Sequence, residues 1–142
     1  MPLRIRKGAW REAELLEDRR AWIADRLRAA DLEPFVTLHA GDSAPQIDAA
    51  RADLVAAGGV QLAFIDGDHT PAGVLRDFRA IEPALNTGGF ILLHDTIPEQ
   101  CTHTGPRRLL DTIQEVGTGR YEKMDLYSAP LNYGLGLLRR IS

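Results

Sequence analysis

Apolar residues along this chain follow two patterns, continuous runs and helical spacing. Nearly every position is apolar in residues 60–65 (VQLAFI) and 90–93 (FILL), as is typical of strands buried on both faces of a sheet. Four other segments carry apolar side chains every three or four positions, which predicts helices over residues 9–30, 43–58, 70–85 and 105–117. Strands that alternate with helices in this way predict an α/β sheet with helices on both faces.

Residues with special backbone preferences mark the expected helix ends. Thr70 can cap the third helix, and Pro71 fits its first position because proline lacks the N–H that a first turn leaves unpaired. Ser43 can cap the second helix in the same way. Pro106 and Gly117 are expected to open and close the last helix.

The remaining segments predict strands and turns. Residues 35–42 (FVTLHAGD) predict a first strand that stops at a glycine. Residues 86–89 (NTGG) predict a turn. Two strand-like runs, residues 121–129 and 133–141, predict an antiparallel hairpin joined by residues 130–132.

Length, charge and cysteine content narrow the class of protein. A chain of 142 residues suits one domain, and a formal net charge of −3 argues against a nucleic-acid backbone as partner. Cys101 is the only cysteine, so no internal disulfide can form and a reducing cytoplasm is expected. No apolar run reaches the length of a membrane span. We therefore expect a cytoplasmic protein that acts on a small molecule and binds neither nucleic acid nor membranes.

Polar residues follow three of the predicted strands at the point where each ends. The three groups are Asp42-Ser43, residues 66–69 (DGDH) and His94-Asp95. Ligands of open α/β sheets bind outside the carboxyl ends of parallel strands. The three groups are therefore expected to lie along one edge of the sheet.

The residue types at these strand ends suit metal binding and proton transfer. Asp66 and Asp95 come from neighbouring strand ends and could share a Mg²⁺-like ion, since hard cations prefer oxygen ligands. His94 is a candidate third ligand, although imidazole suits Zn²⁺ or Fe²⁺ better. His69 lies on the loop after Asp66, where it can act as a general base near neutral pH.

The same residues could have structural roles instead of functional ones. Asp66 and Asp95 could satisfy loop amides, Asp68 could equally cap the following helix, and His94 could be a packing residue. For three further residues a structural role is the preferred interpretation: His39, Cys101 and His103.

The spaced motifs resemble the second half of class I S-adenosylmethionine-dependent methyltransferases. In the group that includes macrocin-type and cephalosporin-cluster O-methyltransferases, a strand ends in F-I-D-G-x-H, and a helix, a P-L-L-x-x-G-G turn and a strand with an acidic or His-Asp ending follow. Residues 62–96 contain FIDGDH, PALNTGG and LLHDT at this spacing. The likeness extends back through residues 36–44 (VTLHAGDSA) and forward to the final hairpin.

The resemblance implies a role for each matching residue. Asp42 would accept hydrogen bonds from the adenine amino group, with Ser43 beside it in the cofactor loop. Asp66 would bind a metal close to the methionine end of the cofactor, and Asp95 would be a second metal ligand. His69 would deprotonate the substrate hydroxyl. His94 stands where metal-dependent members often have Asp or Glu.

The resemblance also implies a fold that is incomplete at its start. It predicts a Rossmann-like, mostly parallel methyltransferase sheet with a C-terminal antiparallel hairpin, and residues 34–142 would form its back half behind a helical segment, residues 1–33. The family's glycine-rich loop, which lets the backbone approach the cofactor, has no counterpart before residue 35. An N-terminally truncated sheet with open apolar edges predicts a homo-oligomer.

Two other functions are compatible with the sequence. One is a non-catalytic, oligomerising remnant of the methyltransferase fold. The other is a metal-dependent phosphohydrolase, suggested by the His94-Asp95 pair. We rank the phosphohydrolase last, because in the family named for that pair the residues sit on helices, whereas residues 90–95 predict a strand.

Overall fold

A computed structural model describes residues 19–127 and 133–142 of the chain. The chain divides into two compact units, Met1–Gly41 and Asp42–Ser142. The first ten residues of the helix predicted over residues 9–30 and the predicted connection at residues 130–132 lie outside the described residues. In the described parts no helix is both long and apolar enough to cross a membrane.

The first unit contains helix α1, Arg19–Ala29, followed by a short 3₁₀ helix, Glu33–Phe35. The chain leaves α1 through Asp31, whose φ of 56° is left-handed. The Leu32 N–H donates to the Leu27 carbonyl at 2.8 Å and satisfies one of the carbonyls at the helix end. Pro34 occupies the first turn of the 3₁₀ helix, where its missing N–H leaves no hydrogen bond unmade.

The strand predicted over residues 35–42 does not form. Phe35 ends the 3₁₀ helix, residues 36–40 have no regular structure, and no described strand pairs with them. Phe35 is 83% exposed, so its apolar side chain is not packed as a strand residue would be. The apolar residues of this segment are typical of a strand, but a strand also needs a neighbouring strand that pairs with its backbone N–H and C=O groups.

The second unit contains the sheet and most of the helices. In chain order they are α2 Ser43–Ala56, β1 Val60–Ile65, α3 Pro71–Ile81, a 3₁₀ helix Glu82–Ala84, β2 Leu85–His94, α4 Pro98–Cys101, α5 Gly105–Val116, β3 Tyr121–Leu126 and β4 Leu135–Arg140. The predicted order of helices, strands and final hairpin is confirmed for this unit, but β1, expected to be buried on both faces, has Ile65 as its only buried residue.

The described sheet has four strands in the order β1-β2-β4-β3. Strands β1 and β2 are parallel, with Ile65 opposite Leu93, whereas β4 runs antiparallel to both β2 and β3. One of the three strand pairs is therefore parallel, and the described sheet is mixed rather than mostly parallel. The predicted antiparallel hairpin is confirmed.

The hydrophobic core lies on one face of this sheet. Strand residues such as Ile91 and Leu138 are buried in one cluster with Phe78 of α3 and Ile113 of α5. Side chains that point to the opposite face are exposed, including Leu62, Phe64 and Met124 at 64%, 55% and 56%. The described helices of the second unit thus cover one face of its sheet, not both faces as predicted.

Two predictions about local structure are wrong. Residues 86–89 do not turn the chain but continue β2, where the register against β1 shifts between Val60 and Leu62 and Gly88 adopts a φ of 84°. A glycine that permits positive φ suits a bulge as well as a turn. Ser43 is the first helical residue of α2, and Asp42 occupies the cap position without a side-chain hydrogen bond.

A buried carboxylate joins α3 to the hairpin. Glu82 is 2% exposed, and its Oε1 accepts hydrogen bonds from the Thr118 N–H at 2.7 Å, the Gly119 N–H at 3.4 Å and the Tyr121 hydroxyl at 2.8 Å. Burial, together with this hydrogen bond and the Glu82 charge, raises the pKa of Tyr121 well above its usual range. Arg140 donates to the Glu82 backbone carbonyl at 3.0 Å. Glu82 therefore holds the loop before β3 against the end of α3.

Candidate active site

The parallel pairing of β1 and β2 brings two of the three predicted polar groups together. Because Ile65 pairs with Leu93, the next residues, Asp66 and His94, face each other where the strands end. His94 Nδ1 lies 3.2 Å from Asp66 Oδ1. Residues 35–42 form no strand, so the third group, Asp42-Ser43, does not reach this edge on a strand end.

Asp66 lies between two imidazoles. Its Oδ1 is 3.2 Å from His69 Nε2 and 3.2 Å from His94 Nδ1. The His69 side chain is 17% exposed and that of Asp66 is 43% exposed, so the imidazole is held inside while the carboxylate faces the surface. With Nε2 of His69 donating to Asp66, the lone pair of Nδ1 can accept a proton or a metal.

Asp95 closes the cluster from the core side. Its Oδ2 is 3.6 Å from His69 Nδ1 and its Oδ1 is 2.7 Å from His94 Nδ1. Although Oδ1 is buried and close to His94, the geometry of that contact is not a hydrogen bond, and no described residue donates one to this oxygen. Asp95 also adopts a positive φ of 61°. This conformation costs backbone energy in residues other than glycine, and residues strained in this way are often found at functional sites.

The loop that carries His69 is fixed by hydrogen bonds on both sides. The Thr70 N–H donates to Asp68 Oδ1 at 2.9 Å, and Thr70 Oγ1 accepts from the Gly73 N–H at 3.1 Å. The hydrogen bond from the Thr70 backbone lowers the pKa of Asp68. Thr70 is thus the cap of α3, as predicted, and Asp68 supports the turn before it.

Replacing Thr70 with alanine is expected to destabilise the protein by about 1 kcal/mol, because the Gly73 N–H loses its acceptor at the start of α3. Urea unfolding followed by circular dichroism measures this. Thr70→Ser keeps the hydroxyl and serves as the matched control. Equal stability of the alanine and serine variants would show that the cap contributes nothing.

The start of α5 supports His69 from the other side. The Gly105 N–H donates to the His69 carbonyl at 3.1 Å. A Cβ at Gly105 would lie 2.4 Å from that carbonyl oxygen and 2.6 Å from the Thr70 carbonyl oxygen. Both neighbours are backbone atoms, so a side chain at position 105 must displace the loop that carries His69.

Gly105→Ala is therefore expected to destabilise the protein by about 1–3 kcal/mol, the usual cost of overpacking, and to shift the His69 imidazole. NMR of histidine ring protons reports the shift and urea unfolding the stability. Gly58→Ala is the control for backbone strain without overpacking, since a Cβ there meets nothing within 4 Å although the φ of 101° disfavours a side chain. An unchanged His69 resonance in Gly105→Ala would contradict the close packing.

Asp42 and Ser43 have other contacts than those of Asp66, His69, His94 and Asp95. Asp42 Oδ1 lies 3.2 Å from Arg76 Nη2, with both side chains about half exposed. Ser43 Oγ donates to Asp77 Oδ1 at 2.7 Å. Asp77 is 5% exposed, and its Oδ2 would be 3.4 Å from a Cβ placed on Gly67. Ser43 is thus hydrogen-bonded to α3 through Asp77, whose carboxylate lies beside the loop that follows Asp66.

Two residues near the site were not predicted to belong to it. Asp77 lies on the buried side of α3. In the sequence it stands out only as an acidic residue next to Phe78 within the apolar stripe of the predicted helix. His103, for which the sequence favours a structural role, has its ring centroid 5.0 Å from that of His69. Cys101, also expected to be structural, places its Sγ 3.2 Å from the Ile97 carbonyl oxygen.

Two sets of side chains in the described residues could each hold a metal ion, with one donor atom per residue and all donors within 4.8 Å of one another. The first set is Asp66, His69 and His94; the second is His69, Asp95 and His103. The expected ligands Asp66, His94 and Asp95 are divided between the two sets. Each set contains two imidazoles and one carboxylate.

Two surface cavities of about 370 and 520 Å³ lie beside α3, one against α5 and one against α2. Ala72 and Leu75 of α3 line both. Neither is lined by a residue of the cluster at the strand ends. The cluster therefore lies outside both cavities.

Comparison with known families identifies the class of protein. The model of a methyltransferase domain family matches residues 6–96, a span that includes β1, α3, β2 and the cluster at their ends. The chain belongs to this methyltransferase domain family. The match begins before residue 35, upstream of the motifs that carry the resemblance. No curated protein matches the chain.

Proposed function

We propose that this methyltransferase domain transfers a methyl group from S-adenosylmethionine to a hydroxyl group of a small molecule, with His69 as general base. The observation that supports this best is the placement of His69 between Asp66 and Asp95, at 3.2 and 3.6 Å from their carboxylate oxygens. A carboxylate on one ring nitrogen fixes the tautomer and leaves the other nitrogen to take a proton.

The proposed reaction is a single displacement at the methyl carbon. His69 Nδ1 takes the proton of the acceptor hydroxyl while Asp66 holds Nε2 and stabilises the imidazolium that forms. The acceptor oxygen donates an electron pair to the methyl carbon, and the carbon–sulfur bond breaks with its pair going to sulfur. S-adenosylhomocysteine and the methyl ether are the products. Since the methyl carbon needs an in-line nucleophile, positioning contributes much of the rate.

A divalent metal such as Mg²⁺ fits the same strand ends as an aid to this reaction. The buried Asp95 Oδ1 has no hydrogen-bond donor among the described residues, and a cation would satisfy it. Asp66, His94 and Asp95 are the proposed ligands. Bound there, a metal would acidify the acceptor hydroxyl before His69 takes its proton.

Adenine is proposed to bind at Asp42 and Ser43, and Asp66 to lie near the methionine end of the cofactor. The Asp42–Arg76 ion pair is half exposed, so opening it to admit the adenine amino group costs little. Titration calorimetry with S-adenosylhomocysteine tests this. Asp42→Ala should weaken binding, whereas Asp48→Ala, an exposed acid of the same helix, should not. Folded wild-type protein that gives no heat with millimolar ligand would contradict the proposal.

One observation favours a second candidate, a non-catalytic oligomerising module. Strand β1 is an edge of the described sheet, and its Leu62 and Phe64 are more than half exposed. Exposed apolar edge strands favour association with a second copy. Light scattering that shows a dimer, together with no binding of S-adenosylhomocysteine, would favour this candidate over the enzyme.

The third candidate, a phosphohydrolase, has no support from the geometry. His94 is the last residue of strand β2, and in the family that suggested this activity the His-Asp pair sits on helices. Hydrolysis of a generic phosphate ester with Mn²⁺ would restore it.

A further inference from the structure

We propose that His69, Asp95 and His103 bind a divalent transition-metal ion such as Zn²⁺, in a ligand set that shares Asp95 with the proposed Mg²⁺ ligands but has His69 and His103 in place of Asp66 and His94. The chain has four histidines, and three of them gather here: the His69 ring centroid lies 5.0 Å from that of His103 and 6.5 Å from that of His94. Imidazole is a preferred ligand of Zn²⁺, Ni²⁺ and Cu²⁺, whereas Mg²⁺ prefers oxygen.

The spacing of the donor atoms suits one small ion. Ligand atoms about 2.0–2.1 Å from a tetrahedral Zn²⁺ lie roughly 3.3–3.5 Å from each other. His69 Nδ1 and Asp95 Oδ2 are 3.6 Å apart, and one donor atom from each of the three residues lies within 4.8 Å of the others. Small side-chain rotations would bring the set to binding distance.

The partners around His69 favour metal binding through Nδ1. Asp66 lies 3.2 Å from Nε2, the nitrogen that faces away from Asp95. A metal-bound histidine usually donates its other ring N–H to a carboxylate, which fixes the ring and raises its basicity. Asp66 would supply that support without being a ligand itself.

The burial of Asp95 is a further reason to expect a cation beside its carboxylate. The residue is 7% exposed; its Oδ2 faces His69 Nδ1 at 3.6 Å, and its Oδ1 lies 2.7 Å from His94 Nδ1 but has no hydrogen-bond donor in the described parts of the chain. Leaving a buried carboxylate oxygen without a partner is costly. Coordination of the carboxylate by a cation would offset that cost.

His103 is held at the site by the backbone. The short segment between α4 and α5 contains Thr102, whose φ of 63° turns the chain, and it ends at Gly105, whose N–H donates to the His69 carbonyl at 3.1 Å. The hydrogen bond ties the loop of His103 to the loop of His69.

Occupation of this site would inhibit methyl transfer, an inference that rests on the proposed function. Metal on His69 Nδ1 takes the lone pair that would accept the hydroxyl proton. Zn²⁺ would therefore act against the reaction that Mg²⁺ aids.

Calorimetric titration of the untagged chain with Zn²⁺, without cofactor or acceptor, tests the site separately from methyl transfer. We expect one Zn²⁺ per chain that millimolar Mg²⁺ does not displace. His103→Ala and Asp95→Asn should each weaken binding by about tenfold or more. His39→Ala, an exposed histidine outside the cluster, should leave the affinity unchanged, and circular dichroism confirms that each variant is folded.

His94→Ala distinguishes the two possible ligand sets, because His94 belongs only to the set with Asp66. Retained Zn²⁺ affinity in His94→Ala together with lost affinity in His103→Ala supports the proposal. Wild-type affinity in His103→Ala, or no Zn²⁺ binding at all, overturns it. A chain that binds Zn²⁺ in this way but transfers no methyl group would overturn the proposed function alone.

Discussion

Replacing His69 with alanine is expected to lower the kcat of methyl transfer by about 10²- to 10⁴-fold, the usual contribution of a general base. Both carboxylates of the cluster approach His69, Asp66 at 3.2 Å from Nε2 and Asp95 at 3.6 Å from Nδ1. No other described histidine contacts both carboxylates through separate ring nitrogens. The measurement is the rate of S-adenosylhomocysteine formation with a hydroxyl acceptor found by screening.

The variant must lose rate without losing cofactor binding. We expect S-adenosylhomocysteine to bind His69→Ala as it binds the wild type, because the proposed adenine residues, Asp42 and Ser43, contact other partners. The rising limb of the pH–rate profile should also disappear, since it reports the proton acceptor. A loss below about tenfold, or an unchanged pH profile, would remove His69 from the role of base.

The position of the cluster could be predicted from the sequence because it depends on local patterns. Two apolar runs end in acids and histidines, and parallel strands place such ends at one edge. Asp66 and Asp95 are therefore found near each other, as expected. The roles of these residues remain predictions, and the chemistry assigned to them rests on the proposed function.

Contacts between distant segments could not be predicted in the same way. The pattern of residues 35–42 suits a strand, but whether a strand forms depends on a neighbour that the local pattern does not identify. A glycine with positive φ, such as Gly88, suits either a turn or a bulge. Only the pairing of β2 with β1 shows which of the two forms here.

His103 and Asp77 show the same limit at the site. His103 is 34 positions from His69 and reaches it because the Gly105 N–H bonds the His69 carbonyl. Asp77 is buried in an apolar stripe where Ser43, from another helix, donates to it. A buried polar residue in such a stripe indicates a partner, but the sequence does not say which residue that partner is.

Replacing Glu82 with alanine is expected to lower the free energy of unfolding by about 2–5 kcal/mol, because three donors lose a buried acceptor. These are the N–H groups of Thr118 and Gly119 and the hydroxyl of Tyr121. Urea unfolding measures the loss.

Tyr121→Phe provides the matched control, since it removes a single donor and leaves Glu82 with its two N–H partners. Its expected cost is about 1 kcal/mol. Combining the two substitutions should cost less than the sum of the single effects, because the Tyr121 hydroxyl has already lost its acceptor in Glu82→Ala. A loss below about 1 kcal/mol in Glu82→Ala, or full additivity of the pair, would mean that water replaces Glu82 and that this carboxylate does not hold the hairpin to α3.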